Sequence, residues 1–180
     1  MDATDHYAAL HGGLRWSVPE HFNIAAACAT RWAREKPQAV AIRYEHEDGR
    51  CAEFSYRDLQ ANADRLSNAL ARLGVQRGDR VAIVMPQRFE TAVANMAVYQ
   101  LGAVAMPLSM LFGPDALAYR LQHSEAVAAI VDESAIANLR TARPQCPELR
   151  SVIAVGEAAG LGDIDWDVAL AAERAAFTAV

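Results

Sequence analysis

Strand-length apolar runs recur along this 180-residue chain and alternate with segments of helical character. Each run is almost continuously apolar, and the runs lie at 80–85, 103–106, 126–131 and 150–155. Continuous apolar strands are typical of parallel sheets that are covered on both faces. Their alternation with helices predicts the α/β fold class, with a Rossmann-like, doubly wound and mostly parallel sheet.

The segments between these runs carry the signals of helix starts and ends. Ser55 and Asp58 form the S-x-x-D pattern of a capping box, and Gly74 lies where a C-cap glycine would end the same helix. Other helices are predicted from Asn23 to the residue before Pro37, from Phe89 to Gly102, from Pro114 through Leu121, from Ser134 to Arg143, and from Asp165 onward. In the first of these, we expect a shared buried face of Ile24, Ala27, Cys28 and Trp32.

Two short runs near the front of the chain predict a small N-terminal β-hairpin. The strands Ala39–Tyr44 and Cys51–Phe54 flank the segment Glu47–Arg50. The Asp48-Gly49 pair in that segment favours a tight turn, because glycine accepts the positive φ that such turns need.

The first residues show no regular period and predict an extended N-terminal arm. Met1 to Pro19 lacks a basic region followed by an apolar stretch, which argues against a signal peptide. No segment reaches the roughly 18 apolar residues that a membrane span requires. We therefore expect an arm over residues 1–18, a domain over residues 19–180, no membrane span and a cytoplasmic location.

The composition is that of an ordinary globular protein and excludes some partners. Hydrophobic residues make up 53% and charged residues 22%, with a formal net charge of −5. Lys and Arg are scattered, whereas binding to nucleic acid calls for a basic face, so nucleic acid is excluded as a partner. The cysteines have no zinc-ligand spacing and are expected to be buried or half-buried thiols: Cys28, Cys51 and Cys146.

The carboxyl ends of the predicted strands are where a sheet of this kind binds its ligands. These ends carry Met85–Gln87, Pro107–Ser109, Asp132–Ser134 and Val155–Gly156. None of them has the glycine-rich turn that lets a backbone approach phosphate. Gly74 and Gly78 have part of the P-loop spacing, but Asp79 stands where a lysine is needed, so we interpret both as turn residues.

The histidines and tryptophans form no recognisable site. The histidines are far apart or irregularly spaced and do not predict a metal site: His6, His11, His21, His46 and His123. The tryptophans are interpreted as packing anchors: Trp16, Trp32 and Trp166.

Some acidic and hydroxyl side chains of the chain are candidates for catalytic groups. Asp132 and Glu133 are a candidate acid–base pair, but the adjacent Ser134 favours a strand-to-helix loop with acidic residues at the helix start. Ser109 and Ser124 lack a positioned histidine and are not interpreted as nucleophiles. We therefore assign no catalytic, cofactor-binding or metal-binding residue to this chain.

Four stretches between residues 19 and 108 form an ordered set of motifs. They are Pro19-Glu-His-Phe-Asn-Ile-Ala25 followed by Arg31-Trp-Ala33, then Phe54-Ser-Tyr-Arg-Asp-Leu59, then Gly74 through Pro86, and finally Tyr99 through Leu108. In this order and at these spacings they resemble the adenylate-forming superfamily of AMP-binding acyl-CoA synthetases, of the medium-chain or aryl type. The stretches themselves are largely scaffold, since they supply caps, turns and strand ends.

The resemblance implies a two-step activation of a carboxylic acid. ATP would adenylate the acid and release pyrophosphate, and the thiol of CoA would then displace AMP to give acyl-CoA. In this superfamily the Ser/Thr/Gly-rich phosphate loop and the catalytic groups come later in the chain than Val180. The resemblance thus implies that residues 19–180 are the N-terminal portion of the adenylation domain, truncated before the phosphate loop. ATP, Mg²⁺ and CoA would serve the full-length parent, and we expect no cofactor in this chain.

Three functions remain open from the sequence. The chain is expected to be a catalytically silent portion of an acyl-CoA ligase. An alternative is an interaction module that complements a partner or forms a homodimer through an exposed sheet surface. The third is a stand-alone domain that binds a nucleotide or an acyl-CoA.

Overall fold

The strands form two separate sheets within residues 6–46 and 49–180, the part of the chain that this computed structural model describes. The first two strands pair antiparallel as a hairpin: β1 (Val40–Glu45) and β2 (Cys51–Ser55). The others form a parallel sheet: β3 (Arg80–Val84), β4 (Val104–Pro107), β5 (Ala128–Val131), β6 (Ser151–Ala154) and β7 (Ile164–Asp165). The strand order in the parallel sheet is β4-β3-β5-β6-β7.

The parallel sheet confirms the prediction made from the apolar runs. All side chains of β5 are buried, and those of β3 and β6 are buried after the first residue of each strand. In register, Val81 lies beside Ala128, and Ala128 lies beside Ser151. The sequence does not predict β7, because its two residues are too few to form an apolar run.

Helices cover both faces of the parallel sheet. In chain order the helices are α1 (Tyr7–Gly13), α2 (Arg31–Glu35), α3 (Tyr56–Arg72), α4 (Phe89–Gln100), α5 (Pro114–Ser124), α6 (Ile136–Ala142) and α7 (Trp166–Ala171). Of these, α3, α4 and α7 cover one face of the sheet, and α5 and α6 cover the other. The core on one face includes Leu66 of α3, Val93 of α4 and Trp166 of α7. The core on the other face includes Leu117 of α5 and Leu139 of α6. The fold is therefore doubly wound, as predicted.

Helix α3 has both of its predicted ends. The hydroxyl of Ser55 accepts a hydrogen bond from the backbone N–H of Asp58 at 3.2 Å, and the carboxylate of Asp58 accepts one from the backbone N–H of Ser55 at 3.0 Å. The hydrogen bonds from Ser55 lower the pKa of Asp58. Gly74 has a φ of +82°, which lets the chain leave the helix in a left-handed turn.

The first predicted helix begins as expected but buries a different face. Asn23 caps it, because its Oδ1 accepts from the backbone N–H of Ala26 at 3.2 Å. The helix then runs through a π-helical turn, Ala26–Thr30, before α2. Ala25 and Ala29 are fully buried, whereas Ile24 and Cys28 are exposed. The expected face is wrong by one position: Ala25 and Ala29 keep the four-residue spacing of a helical face, and these small residues let the helix lie close to α3.

The N-terminal arm is partly helical, where the sequence predicted an extended chain. Met1–Asp5 lie outside the described residues, and α1 follows directly. The rings of Tyr7 and His11, one helical turn apart, stack with centroids 5.6 Å apart. Helix α1 has no buried residue, so local contacts of this kind form the helix without a core contact.

The hairpin agrees with the prediction in its strands. Glu47 and Asp48 of the predicted turn lie outside the described residues. Gly49 has a φ of +80°, and its N–H donates to the carbonyl of His46 at 2.8 Å. The strands pair in one register from Glu45 beside Cys51 to Ile42 beside Phe54, and the register then shifts by one residue so that Val40 lies beside Ser55.

One later helix differs from the prediction at both of its ends. Helix α6 begins at Ile136, two residues after the predicted Ser134, because the side chain and backbone N–H of Ser134 both bind Asp132. The chain after α6 continues as a 3₁₀ turn over Arg143–Gln145, which accommodates the proline at its second position.

Candidate functional site

The carboxyl ends of β3 and β5 and the hairpin enclose a cleft of about 670 Å³. Its lining includes Tyr44, His46 and Phe54 from the hairpin side, Pro86–Glu90 after β3, Met110 after β4, and Asp132–Glu133 after β5. This is the edge at which open parallel sheets bind ligands. We therefore treat this cleft as the candidate functional site.

Arg88 is the central charged group of the cleft. Its Nε donates to Glu90 Oε2 at 2.8 Å, and its Nη1 donates to Asp132 Oδ2 at 3.3 Å and to Glu133 Oε1 at 3.4 Å. Burial disfavours the guanidinium charge, but the hydrogen bonds and charges of Glu90, Glu133 and Asp132 outweigh it and raise the pKa of Arg88. Arg88 is thus a cation that links the end of β3, which it follows, to the end of β5.

Asp132 is buried at the end of β5 and belongs to the structure of the loop. Its Oδ1 accepts from the backbone N–H of Ser134 at 3.1 Å and also from the Ser134 hydroxyl, while its other oxygen faces Arg88. This arrangement satisfies the buried carboxylate. The prediction of a strand-to-helix loop at Asp132–Glu133, in place of an acid–base pair, is consistent with this geometry.

Gly156 brings the end of β6 against the same charged group. It has a φ of +62°, and a Cβ placed there would lie 3.0 Å from Glu133 Oε2 and 3.3 Å from Arg88 Nη2. A side chain at this position would press on the ends of Glu133 and Arg88, which would have to shift, and it would also strain the backbone. Residues from the ends of three strands therefore meet at one point.

The charge balance of the cleft is negative. Three carboxylates, those of Glu90, Asp132 and Glu133, surround the one guanidinium of Arg88. The backbone N–H groups at the neighbouring strand ends are also engaged, since Leu108 donates to Ile83 and Val155 donates to Val131. An anion such as a triphosphate would meet net repulsion from these carboxylates, so the charged residues of the cleft do not fit it.

An aromatic pair forms the wall between the hairpin and the sheet. The rings of Phe54 and Phe89 stack with centroids 3.9 Å apart and an interplanar angle of 12°. Thr91 fixes the start of α4 on the other side, because its hydroxyl donates to the carbonyl of Pro86 at 2.6 Å. The hairpin thereby closes one side of the cleft.

The two glycines compared with a P-loop lie in turns before β3. Gly74 and Gly78 have φ values of +82° and +85°. The backbone N–H of Gly78 donates to the carbonyl of Gly102 at 3.0 Å, and the carboxylate of Asp79 accepts from the N–H of Gln76 at 2.9 Å. Both glycines are turn residues at the amino edge of the sheet, away from the candidate cleft.

The histidines are placed apart from one another. His11 stacks on Tyr7, and His123 stacks on Tyr119 at the end of α5. His46 lies beside Tyr44 at the rim of the cleft. Within residues 6–46 and 49–180, no group of three or more His, Cys, Asp or Glu side chains has the geometry of a metal site.

The serines considered as nucleophiles bind the local backbone. The Ser109 hydroxyl accepts from the N–H of Leu111 at 3.2 Å, and the Ser124 hydroxyl donates to the carbonyl of Arg120 at 2.7 Å.

The helices within residues 6–46 and 49–180 include none with the length and apolar character of a membrane span.

The predictions for tryptophan and cysteine are only partly right. Trp166 is buried and Trp32 stacks on Tyr56, but Trp16 is 86% exposed and anchors nothing. Cys146 is buried, and burial raises the pKa of its thiol. Cys28 and Cys51 are exposed, in contrast to the expected burial, because each lies on the outward side of its element.

A second buried polar cluster, the α3–α4 seam, lies away from the cleft and consists of Gln60, Asp64, Ser67 and Gln100. The Gln100 amide donates to Asp64 Oδ1 at 3.0 Å, and the Gln60 amide donates to the same oxygen at 2.6 Å. The Ser67 hydroxyl lies 2.6 Å from Gln100 Oε1. Burial raises the pKa of Asp64, although hydrogen bonds from Gln100, Gln60 and the Phe177 backbone oppose the shift.

Sequence reasoning missed Arg88 and the α3–α4 seam. Arg88 lies two residues after Pro86, and its partner Asp132 is 44 positions further along the chain, so no local sequence pattern indicates the contact. The seam did leave a signal, because Gln60, Asp64 and Ser67 recur at helical spacing beside the apolar stripe of α3. Polar residues on the buried side of a helix predict partners on the helix that packs there.

Comparison with known proteins gives a consistent set of relatives. An acetyl-coenzyme A synthetase of Alkalilimnicola ehrlichii is 31% identical over 175 residues, which cover 92% of this chain and 27% of that protein. One of Novosphingobium aromaticivorans is 32% identical and covers 91% of this chain and 28% of its own length. The chain thus spans little more than a quarter of the length of these relatives.

A solved structure and a family profile point the same way. The fold is similar to that of the anthranilate CoA ligase AuaEII in complex with anthranoyl-AMP, with a TM-score of 0.79 and 20% identity over 91% of this chain and 30% of the ligase. The family described as AMP-binding enzyme matches residues 29–174. Because that match spans most of its length, the chain belongs to the adenylate-forming family of AMP-binding enzymes.

Proposed function

We propose that this chain is the N-terminal portion of the adenylation domain of an ATP-dependent acyl-CoA ligase. The parent reaction would convert a carboxylic acid, ATP and CoA to acyl-CoA, AMP and pyrophosphate. The observation that carries the proposal is the family match over residues 29–174, supported by relatives that are named acetyl-coenzyme A synthetases. ATP, Mg²⁺ and CoA would be ligands of the full-length parent.

We also propose that the chain is catalytically silent by itself. Arg88, the cation of the cleft, is engaged by Glu90, Asp132 and Glu133. The cleft therefore offers no positive site for phosphate, and no step through ATP is assigned to its residues. In the parent, this portion would act as a scaffold that supports groups from elsewhere in the protein.

The acid is proposed only as a class. The relatives that are named acetyl-coenzyme A synthetases favour a short acid, whereas the Phe22-Asn23 opening resembles ligases for medium-chain and aryl acids. A test must therefore use acids of all three kinds. The proposed location is the cytoplasm, since the exposed free thiols of Cys28 and Cys51 suit a reducing compartment.

The direct test of silence is ATP–pyrophosphate exchange with the purified 180-residue chain. Acetate, octanoate and anthranilate are each supplied with ATP and Mg²⁺, and a full-length acyl-CoA ligase is the positive control. We expect exchange no greater than in a blank without protein. Exchange with any acid contradicts the proposed silence, and heat on titration with ATP, AMP or acetyl-CoA supports a stand-alone binding domain instead.

The coding DNA tests whether the chain is part of a ligase. We expect an open reading frame after the codon for Val180 that enters a Ser/Thr/Gly-rich loop ending in Pro-Lys-Gly. A stop codon at that point contradicts the proposal that the chain is part of a full-length ligase.

A second candidate function, an interaction module, is favoured by one observation. Five large apolar side chains of the N-terminal segment are between 57% and 86% exposed: Leu10, Leu14, Trp16, Val18 and Phe22. Helices cover both faces of the sheet, so this segment offers a larger apolar surface for association than the sheet faces do. Light scattering after size-exclusion chromatography tests a homodimer, and a monomer at all concentrations contradicts it.

A further inference from the structure

The last eight residues of the chain, Glu173–Val180, cross the outer surface of α3 and α4 as an irregular segment, here called the strap. The strap begins beside α3, where Arg72 Nε and Glu173 Oε1 lie 3.1 Å apart. It ends beside α4, where the N–H of Val180 donates to the carbonyl of Gln100 at 3.0 Å. The strap thus bridges the two helices that cover one face of the sheet.

Polar side chains from the body hold the backbone of the strap. The amide of Asn68 donates to the carbonyls of Arg174 at 3.0 Å and of Ala176 at 3.1 Å. The amide of Asn23 donates to the carbonyl of Val180 at 3.0 Å and to that of Tyr99 at 2.7 Å. The strap is therefore held by α3, by α4 and by Asn23, which caps the helical segment that leads into α2.

The strap covers the α3–α4 seam. The backbone of Phe177 lies beside the carboxylate of Asp64, in the middle of that seam, where hydrogen bonding from it opposes the rise in the pKa of Asp64. Asp64 is 7% exposed, and Gln100 and Ser67 are fully buried. Without the strap, the carboxylate of Asp64 would lose one hydrogen-bond donor and gain access to water.

The strap contributes little apolar burial in return. None of its side chains is buried, and Phe177 is the one large apolar side chain of the strap that packs against the core. Its attachment rests mainly on hydrogen bonds near the surface, which stabilise less than core packing does. Segments with few buried apolar contacts open at lower free energy than the core does.

We propose that Glu173–Val180 is a detachable strap, which leaves the α3–α4 seam as one unit while the sheet and its helices stay folded. The seam sets the register of the docked strap through Asp64 and Gln100, and Asn68 holds its middle. Release of the strap would cost Asn23 its hydrogen bond to the Val180 carbonyl, while its hydrogen bond to the Tyr99 carbonyl of α4 would remain. This inference does not depend on ligase activity.

Residue-resolved amide hydrogen exchange of the full 180-residue chain tests the proposal. The N–H groups of Phe177 and Val180 are the probes, because one faces α3 and the other faces α4. We expect both to exchange faster than the N–H groups of β3 and β5, and at rates within about threefold of each other. Fraying from the end would instead leave Val180 unprotected while Phe177 stays as protected as the sheet, and that result overturns the proposal.

A pair of variants on the same helix separates the strap from general loosening. Asn68→Ala removes two hydrogen bonds to the strap and is expected to speed exchange at Phe177 and Val180 by on the order of tenfold. Asn62→Ala is the matched control, because Asn62 donates only to the Asp58 carbonyl within α3. Equal effects of the two variants, or an Asn68→Ala effect that extends to β3 and β5, would overturn the proposal.

Discussion

Within residues 6–46 and 49–180, a carboxylate is buried in two places, and its hydrogen-bond partners differ between the two. Asp132, at the cleft, faces the guanidinium of Arg88 and accepts two hydrogen bonds from Ser134. Asp64, in the α3–α4 seam, has only uncharged donors, namely Gln60, Gln100 and the backbone of Phe177. At the cleft a cation balances the negative charge of the buried carboxylate, whereas in the seam only neutral amide groups stabilise it.

The difference predicts how each site responds to damage. Removal of a charged partner from a buried carboxylate leaves an uncompensated charge, which is among the costliest changes in a protein core. Removal of one neutral donor costs only about one unmade hydrogen bond. The cleft is therefore expected to be rigid and sensitive to single changes, and the seam is expected to tolerate them better.

The largest effect is expected from Arg88→Ala. The substitution leaves Asp132 buried beside Glu133 and Glu90 with no cation, and we expect a loss of about 2–4 kcal/mol in the free energy of unfolding. Urea denaturation followed by circular dichroism measures it. The double variant Arg88→Ala, Asp132→Asn should recover part of the loss, and a double variant as unstable as the single one contradicts the assigned pairing.

A smaller effect is expected from Gln100→Leu in the seam. The leucine removes a donor to Asp64 and an acceptor for Ser67, so we expect a loss of about 1–3 kcal/mol in the same measurement. Asn95→Ala is a control on the same helix, because Asn95 donates to the Thr91 carbonyl within α4. If the control costs as much as Gln100→Leu, the seam has no special role.

The smallest effect at neutral pH is expected from Asp64→Asn. Asparagine keeps an oxygen for Gln60 and Gln100 and removes the buried charge, so stability should change by no more than about 1 kcal/mol. Burial raises the pKa of Asp64 in the folded state, so the folded protein holds this proton more tightly than the unfolded chain does. The resulting stability is fully present at a pH below the ordinary pKa of a carboxyl group. It is lost as the pH rises through the raised pKa of the folded state.

The pH dependence sharpens this last prediction. Unfolding of the wild type and of Asp64→Asn is compared in steps from pH 3.5 to pH 7. Relative to the variant, the wild type should lose stability as pH rises across this window. A difference that stays constant, or that grows in favour of the wild type with rising pH, contradicts the raised pKa.

The sequence predicts the layered fold well because that fold rests on local and repeated signals. Buried parallel strands read as apolar blocks, and Ser55, Asp58 and Gly74 mark the ends of α3 within the chain itself. The face of the helix that Asn23 caps was predicted wrongly because it depends on tertiary packing. Ala25 and Ala29 are buried there, although the larger Ile24 was the stronger apolar signal.

The candidate site is less predictable because its contacts join distant parts of the chain. The strand ends Asp132 and Gly156 are visible in the sequence, but nothing local indicates that Arg88 joins them. The seam could have been inferred from the polar residues inside the stripe of α3. Its partners on α4 and on the strap, however, are fixed only by tertiary packing.

Gly156 has a consequence for how this family member can vary. Its φ of +62° lies in the left-handed region, and a Cβ there would press on the ends of Glu133 and Arg88, so replacement of the glycine is expected to be disfavoured. A side chain at this position would strain the backbone and would also require the ends of Arg88 and Glu133 to shift by a few tenths of an ångström. Position 156 and the side chains at positions 88 and 133 are therefore expected to vary together in sequence.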